Sequence, residues 1–166
     1  MRPERAEVLV HGLVAGFIGY AAVVIFFALV NVIGGHSPFH TAARLGTALF
    51  YEPADPLAAR PEPGPVLAYN GVHLVASLLA GTGSAFLLVE TERYHFLWYF
   101  VFFLFLAGFV YVLLFVGILG AEITRVIPWW FALMGTLVWV AAMGGYLWTQ
   151  HRSLLARLSE EQGAES

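Results

Sequence analysis

Residues Val8 to Ile33 read VLVHGLVAGFIGYAAVVIFFALVNVI, a run without Asp, Glu, Lys or Arg. A helix needs roughly 20 predominantly apolar residues to cross a bilayer, and this stretch exceeds that length. Arg2 and Arg5 precede it, as basic residues precede a secretory signal. The run nevertheless outlasts the roughly 7 to 15 apolar residues of a signal core and shows no clear small-x-small cleavage site. It is read as a retained transmembrane span.

Working outward, three further charge-free runs follow, over Val66 to Val89, Tyr94 to Ala121 and Val126 to Gln150. None shows the alternating polarity of barrel strands, and in lipid the backbone must be satisfied within each segment, so helices are expected. The whole chain agrees: of its 166 residues 60% are hydrophobic, 16% aromatic and 11% charged, with a mean hydropathy of +0.77. Soluble domains carry about 25% charged residues. The fold expected is an all-α integral membrane protein, one domain over 1–166, with four transmembrane helices in a bundle. The connections Glu90–Arg93 and Glu122–Arg125 are short, which makes the second, third and fourth spans antiparallel neighbours. No internal repeat is visible, which disfavours an inverted-repeat transporter.

Charge and composition exclude several functions. A net charge of −3 and a lack of Lys leave no basic patch for a nucleic-acid backbone. Without Cys there is no disulfide, thiolate metal site or thiol nucleophile. No G-x-S-x-G, H-E-x-x-H or phosphate loop occurs; Gly81-Thr82-Gly83-Ser84 lies inside an apolar run and has no Lys beside it. Catalysis is not expected. With both termini cytoplasmic, Arg2, Arg5, Arg93, Arg152 and Arg157 lie inside, and Arg44, Arg60 and Arg125 outside; the excess inside favours this orientation. The expected location is a bacterial inner membrane, with residues 151–166 as a cytoplasmic tail. Trp129 and Trp130, and Trp98 and Trp148 at the other side, suit the headgroup boundary as anchors.

The spans differ in character. Gly12, Gly16 and Gly19 fall within roughly 60° of one another on the first helix, a strip for close helix packing. Gly135, Gly144 and Gly145 permit close approach on the fourth. The third carries Phe96, Phe100, Phe102, Phe103, Phe105, Phe109 and Phe115 around most of its circumference, suiting contact with lipid or another subunit. On the second, Asn70, His73, Ser77, Gly81 and Ser84 share a face within roughly 80°. Such a polar stripe must meet other helices, a cavity or a ligand.

The outer loop, 34–65, holds six of the eight prolines. Ser37-Pro38 is a helix start, so a short interfacial helix is expected from there to Tyr51. An extended strap without regular structure is expected from Glu52 to Pro65. His36, His40 and His73 with the Glu52 carboxylate make a candidate metal shell on the outer side, where Asn31 and Glu122 also lie. His36 precedes Ser37, so His36 and His40, although four apart, need not share a helix face as helical metal-binding pairs do. Haem b is a further candidate, with His73 at the outer side or His11 and His95 at the inner. A quinone pocket would be lined by His73, Tyr69 and aromatics, and Asn70 is a further candidate for binding a cofactor. The bland reading makes His73 a hydrogen-bonding partner of a neighbouring helix.

The leading functional expectation is a non-enzymatic multi-pass subunit that acts through helix–helix association with partner membrane proteins or with itself. The first alternative is a haem-, metal- or quinone-binding redox protein with its site around His73, His36 and His40. The second is a small-solute transporter using the stripe of the second helix.

Overall fold

The computed structural model describes residues 5–51, 60–93 and 128–164, with side chains over 6–51, 60–88 and 128–150. Four helices make up the described regular structure: α1 Arg5–Ile33, α2 His40–Phe50, α3 Pro63–Arg93 and α4 Trp129–Ala164. Ala6–Ile33, Pro63–Leu88 and Trp129–Gln150 are long and apolar enough to cross a membrane, as in a multi-pass membrane protein. The third expected span, with its phenylalanines, His95 and Trp98, lies outside the described residues, as do Glu52 and Glu122.

Helix α1 is the element on which α3 and α4 both pack. Its glycines explain how closely. A Cβ added to Gly12 would lie 2.6 Å from the Thr82 Cα, one on Gly16 2.7 Å from the Leu78 Cα, and one on Gly81 2.6 Å from the Gly16 Cα. The backbones of α1 and α3 therefore touch where only hydrogen atoms fit, which maximises dispersion contact in a medium offering no hydrophobic drive for association. Gly19 faces α4 instead, where its added Cβ would meet the Trp139 indole at 2.9 Å. Val8, Ala15, Ala85, Met143 and Leu147 form the buried cluster beside these contacts.

The order of contacts fixes the helix directions. Along α1, Gly12 meets Thr82, Gly16 meets Leu78 and Tyr20 meets Asn70: residue numbers rise on α1 as they fall on α3. Likewise His11 meets Tyr146, Gly19 meets Trp139, and Phe27 meets Gly135. Both α3 and α4 are antiparallel to α1, so they run parallel to each other.

Helix α1 ends in a Schellman motif. Gly35 takes φ +75°, its N–H donates to the Val32 carbonyl at 3.0 Å, and the His36 N–H donates to the Asn31 carbonyl at 2.8 Å. A left-handed residue here favours glycine, which satisfies the last carbonyls without a Cβ clash. The next helix differs from expectation: α2 starts at His40, not at Ser37-Pro38. Asn31 explains the delay. Its Nδ2 donates to the Pro38 carbonyl at 3.0 Å, its Oδ1 accepts from the Thr41 hydroxyl at 2.8 Å, and the His40 N–H closes a turn on the Ser37 carbonyl. A tertiary contact thus holds Ser37–Phe39 as a turn and joins α2 to the end of α1. Helix α2 then lies against α3, with Gly46 seated on the Pro65 carbonyl.

Two other boundaries move. Helix α3 takes up Pro63, which the strap was expected to include; proline at the first helical position costs no hydrogen bond and presets φ. Helix α4 runs through Ala164, so the expected tail 151–166 is mostly a continuation of the helix. Its Leu154, Leu155, Ala156, Arg157, Leu158, Glu160, Glu161 and Gln162 are strong helix formers, so nothing local stops α4 where the apolar run ends.

Candidate functional site

Chemistry-bearing side chains concentrate where the end of α1, the start of α3 and α2 meet. Asn70 is held by its own helix and by α1: its Nδ2 donates to the Val66 carbonyl at 2.8 Å, and its Oδ1 accepts from the Tyr20 hydroxyl at 3.2 Å. One turn further, the His73 ring lies between two phenols. Its centroid is 5.7 Å from that of Tyr20 at 45° and 5.9 Å from that of Tyr69 at 6°. The His73 Nε2 is buried and has no hydrogen-bond partner among the described residues.

Ser77, only 2% exposed, accepts from the Trp139 indole N–H of α4 at 3.2 Å. Gly81 lies in the crossing with α1, and Ser84 is half-buried. The stripe on α3 therefore meets Tyr20 at Asn70 and His73, Trp139 at Ser77, and Gly12 and Gly16 at Gly81. Sequence reading named neither Tyr20 nor Trp139. The one available signal was the place of Trp139, mid-span and far from the boundary that indoles prefer.

A cleft opens beside this cluster. Val23, Phe27 and Asn31 of α1, Phe39 and Thr41 near the start of α2, and Tyr69 and Asn70 of α3 are among its walls. Asn31, 6% exposed, is part of the same wall.

The histidines divide into three groups. His36 and His40 stack on each other, centroids 4.3 Å apart and planes 12° apart, although His36 precedes the helix; the Schellman turn brings its ring back over the first turn of α2. His73 sits with the tyrosines. His11 places Nδ1 3.0 Å from the Tyr146 hydroxyl and Nε2 4.0 Å from a Glu7 carboxylate oxygen. Among the described residues no three His, Asp or Glu side chains gather so as to hold a metal ion; the expected shell of His36, His40 and His73 is not brought together.

Burial, then the Arg44 guanidinium, then the His36 ring hold the His40 imidazole below its ordinary value of 6.5. The folded state binds fewer protons at this site than the unfolded chain does, so its contribution to stability is present above the ordinary value and is lost as pH falls through the folded one. Hydrogen exchange of α2 amides is expected to accelerate between about pH 7.5 and about pH 5, after correction for intrinsic rates, and His40→Gln is expected to flatten that dependence. Equal protection at both pH values would contradict it.

No protein-family model matches this chain, and no match to a curated protein or to a solved structure was found.

Proposed function

We propose that the chain is a non-enzymatic multi-pass membrane subunit that works through helix–helix association, with partner membrane proteins or with further copies of itself. The observation that carries this reading is the use of the α3 stripe between helices. Asn70 bonds Tyr20, Ser77 bonds Trp139, and Gly81 lies against Gly12 and Gly16. A solute path would need those groups turned to an aqueous cavity instead. Opposite its glycine strip, α1 leaves Val10, Val14, Phe17, Ile25 and Val32 exposed, a face suited to lipid and to another helix.

Four crossings complete the reading. Since α3 and α4 run parallel, the chain between them must return across the bilayer, and this supports a span over 94–121 in a four-helix bundle with both termini on one side. The arginine distribution puts that side in the cytoplasm, and α2 then lies at the outer surface. Native mass spectrometry from a mild detergent tests the association: a homo-oligomer or a stable complex with another membrane protein is expected. A strict monomer, in detergent and after crosslinking in membranes, would overturn it.

A further inference from the structure

We infer that the groove between α3 and α4, on the side turned away from α1, is the docking site of this chain's own segment 94–121, with Ala107 and Gly108 at the depth of Ala80 and Gly144. The inference rests on the four-crossing reading above and deepens it, because it assigns the face that the segment covers and the faces left to partners.

Connectivity carries the argument. Residues 94–127 join the last residue of α3 to the start of α4, and these helices run parallel. A returning segment therefore starts beside the far end of one and finishes beside the near end of the other. The apolar runs leave few residues for the connections, Glu90–Arg93 at one end and Glu122–Arg125 at the other, too few to lead the segment around a third helix. It must lie against α3 and α4 together. Of the two sides of that pair, α1 fills one through Gly12, Gly16 and Gly19. The groove is the other.

The lining suits a close neighbour. On α3, Leu78, Gly81 and Thr82 turn to α1 and Ser77 to Trp139; at 100° per residue, Ser84, Ala80 and Ala76 come next around the helix. On α4, past Leu147 of the buried cluster, come Val140, Leu133 and Gly144. A Cβ added at Gly144 would meet nothing within 4 Å among the described residues. Helices in lipid approach one another at small residues of this kind. The outer side of α3 is different, with Val72, Val75 and Leu79 bulky and more than half exposed, as suits lipid.

Depth and polarity agree. Ser77 is level with Trp139, which puts Ala80 and Ser84 level with Gly144. A helix returning between the ends of the same pair brings the middle of 94–121 to that depth within about one turn, and Ala107 and Gly108 stand there in a run otherwise rich in Phe. His73 lies on the same side of α3. Tyr20 and Trp139 bond its stripe neighbours Asn70 and Ser77, whereas the buried His73 Nε2 has no partner among the described residues. A polar atom inside a span needs one, and a segment in the groove is placed to supply it.

The chain contains no Cys, so paired cysteines report proximity without background. Ser84→Cys, a change of one atom, Ala80→Cys and Val140→Cys would each be combined with single cysteines along Leu104–Ile118 and oxidised in native membranes with copper phenanthroline. Disulfides within one chain, identified as joined peptides by mass, should form at or within one turn of Ala107 and Gly108. Val75→Cys, on the outer side, should form none. Loss of the disulfides from all three groove positions, or bonds between chains in their place, would overturn the inference, as would disulfides from Val75→Cys. The near-isosteric Ser84→Cys decides if the other variants do not fold. Thr91→Cys and Thr124→Cys separate this outcome from the number of crossings: labelled by an impermeant maleimide from opposite sides, they uphold the segment's return across the bilayer, and the disulfides then judge the groove alone. Labelling of both from one side would overturn the four-crossing reading and the inference with it.

Discussion

Gly81→Leu is expected to destabilise the folded chain by about 3 kcal/mol or more, because the new side chain would enter a crossing with no room even for a Cβ. At Gly81 that Cβ would press on the Gly12 carbonyl, the Gly16 amide nitrogen and, at 2.6 Å, the Gly16 Cα. These are backbone atoms of another helix and cannot rotate aside as a flexible side chain could. The helices would have to separate along the whole contact, breaking the Tyr20–Asn70 bond one end away and loosening Ala15 and Ala85 near the other. Gly83, two residues on and turned away, meets nothing within 4 Å among the described residues. Gly83→Ala is therefore expected to leave stability unchanged, or to raise it by up to about 1 kcal/mol through helix propensity. Reversible unfolding in mixed detergent micelles measures both. Equal tolerance of the two substitutions would mean that α1 and α3 do not cross at these glycines.

Trp139→Ala should cost about 3 kcal/mol, the low end for removing a large aromatic side chain from a packed site. The indole covers Gly19, packs against the Met143 cluster, and donates to Ser77, so it joins α4 to both other long helices. The polar part of that role is the smaller. Interhelical hydrogen bonds in membranes average about 0.6 kcal/mol, because the separated helices also find partners. Trp139→Phe should cost about 1 kcal/mol, and combined with Ser77→Ala it should cost little more than either change alone, the signature of one shared bond. Full additivity in that cycle would contradict the pairing.

These two sites show where sequence reading succeeds and where it stops. Three spans were legible because the absence of charge over such a length has one physical solution in lipid; the helices nevertheless reach past the apolar runs, to Pro63 at the start of α3 and to Ala164 at the end of α4, because a charge ends an apolar run without ending a helix. The strip of Gly12, Gly16 and Gly19 was legible as a packing face, since small residues at helical spacing state what they allow. Which neighbour each glycine meets was not: Gly16 goes to α3 and Gly19 to α4, a division set by the crossing of three helices and not by spacing on one. The stripe of Asn70, His73 and Ser77 was equally visible, but its partners Tyr20 and Trp139 lie 50 and 62 residues away. The histidines were hardest. His36 and His40 looked separable because a capping signal stands between them, yet the Schellman turn at the end of α1 returns the His36 ring over the first turn of α2, a reversal of the chain that helical spacing does not describe.

Asn31 and Tyr20 also connect the fold to the cleft. Asn31 both bonds the chain at the start of α2 and lines the cleft, and Tyr20 fixes Asn70 beside Tyr69. The packing of α1 therefore determines the shape of the site as well as the stability of the bundle, while its opposite face remains available for association.

That face gives the most direct test of association. A photocrosslinking amino acid placed singly at Phe17, Ile25 and Val32, with buried Ala15 as the control, would be irradiated in native membranes and the products resolved by mass. Discrete protein adducts from the exposed positions and none from Ala15 are expected, either a dimer of this chain or a complex with one defined partner. Lipid adducts alone at every exposed position would contradict the reading of this chain as an associating subunit.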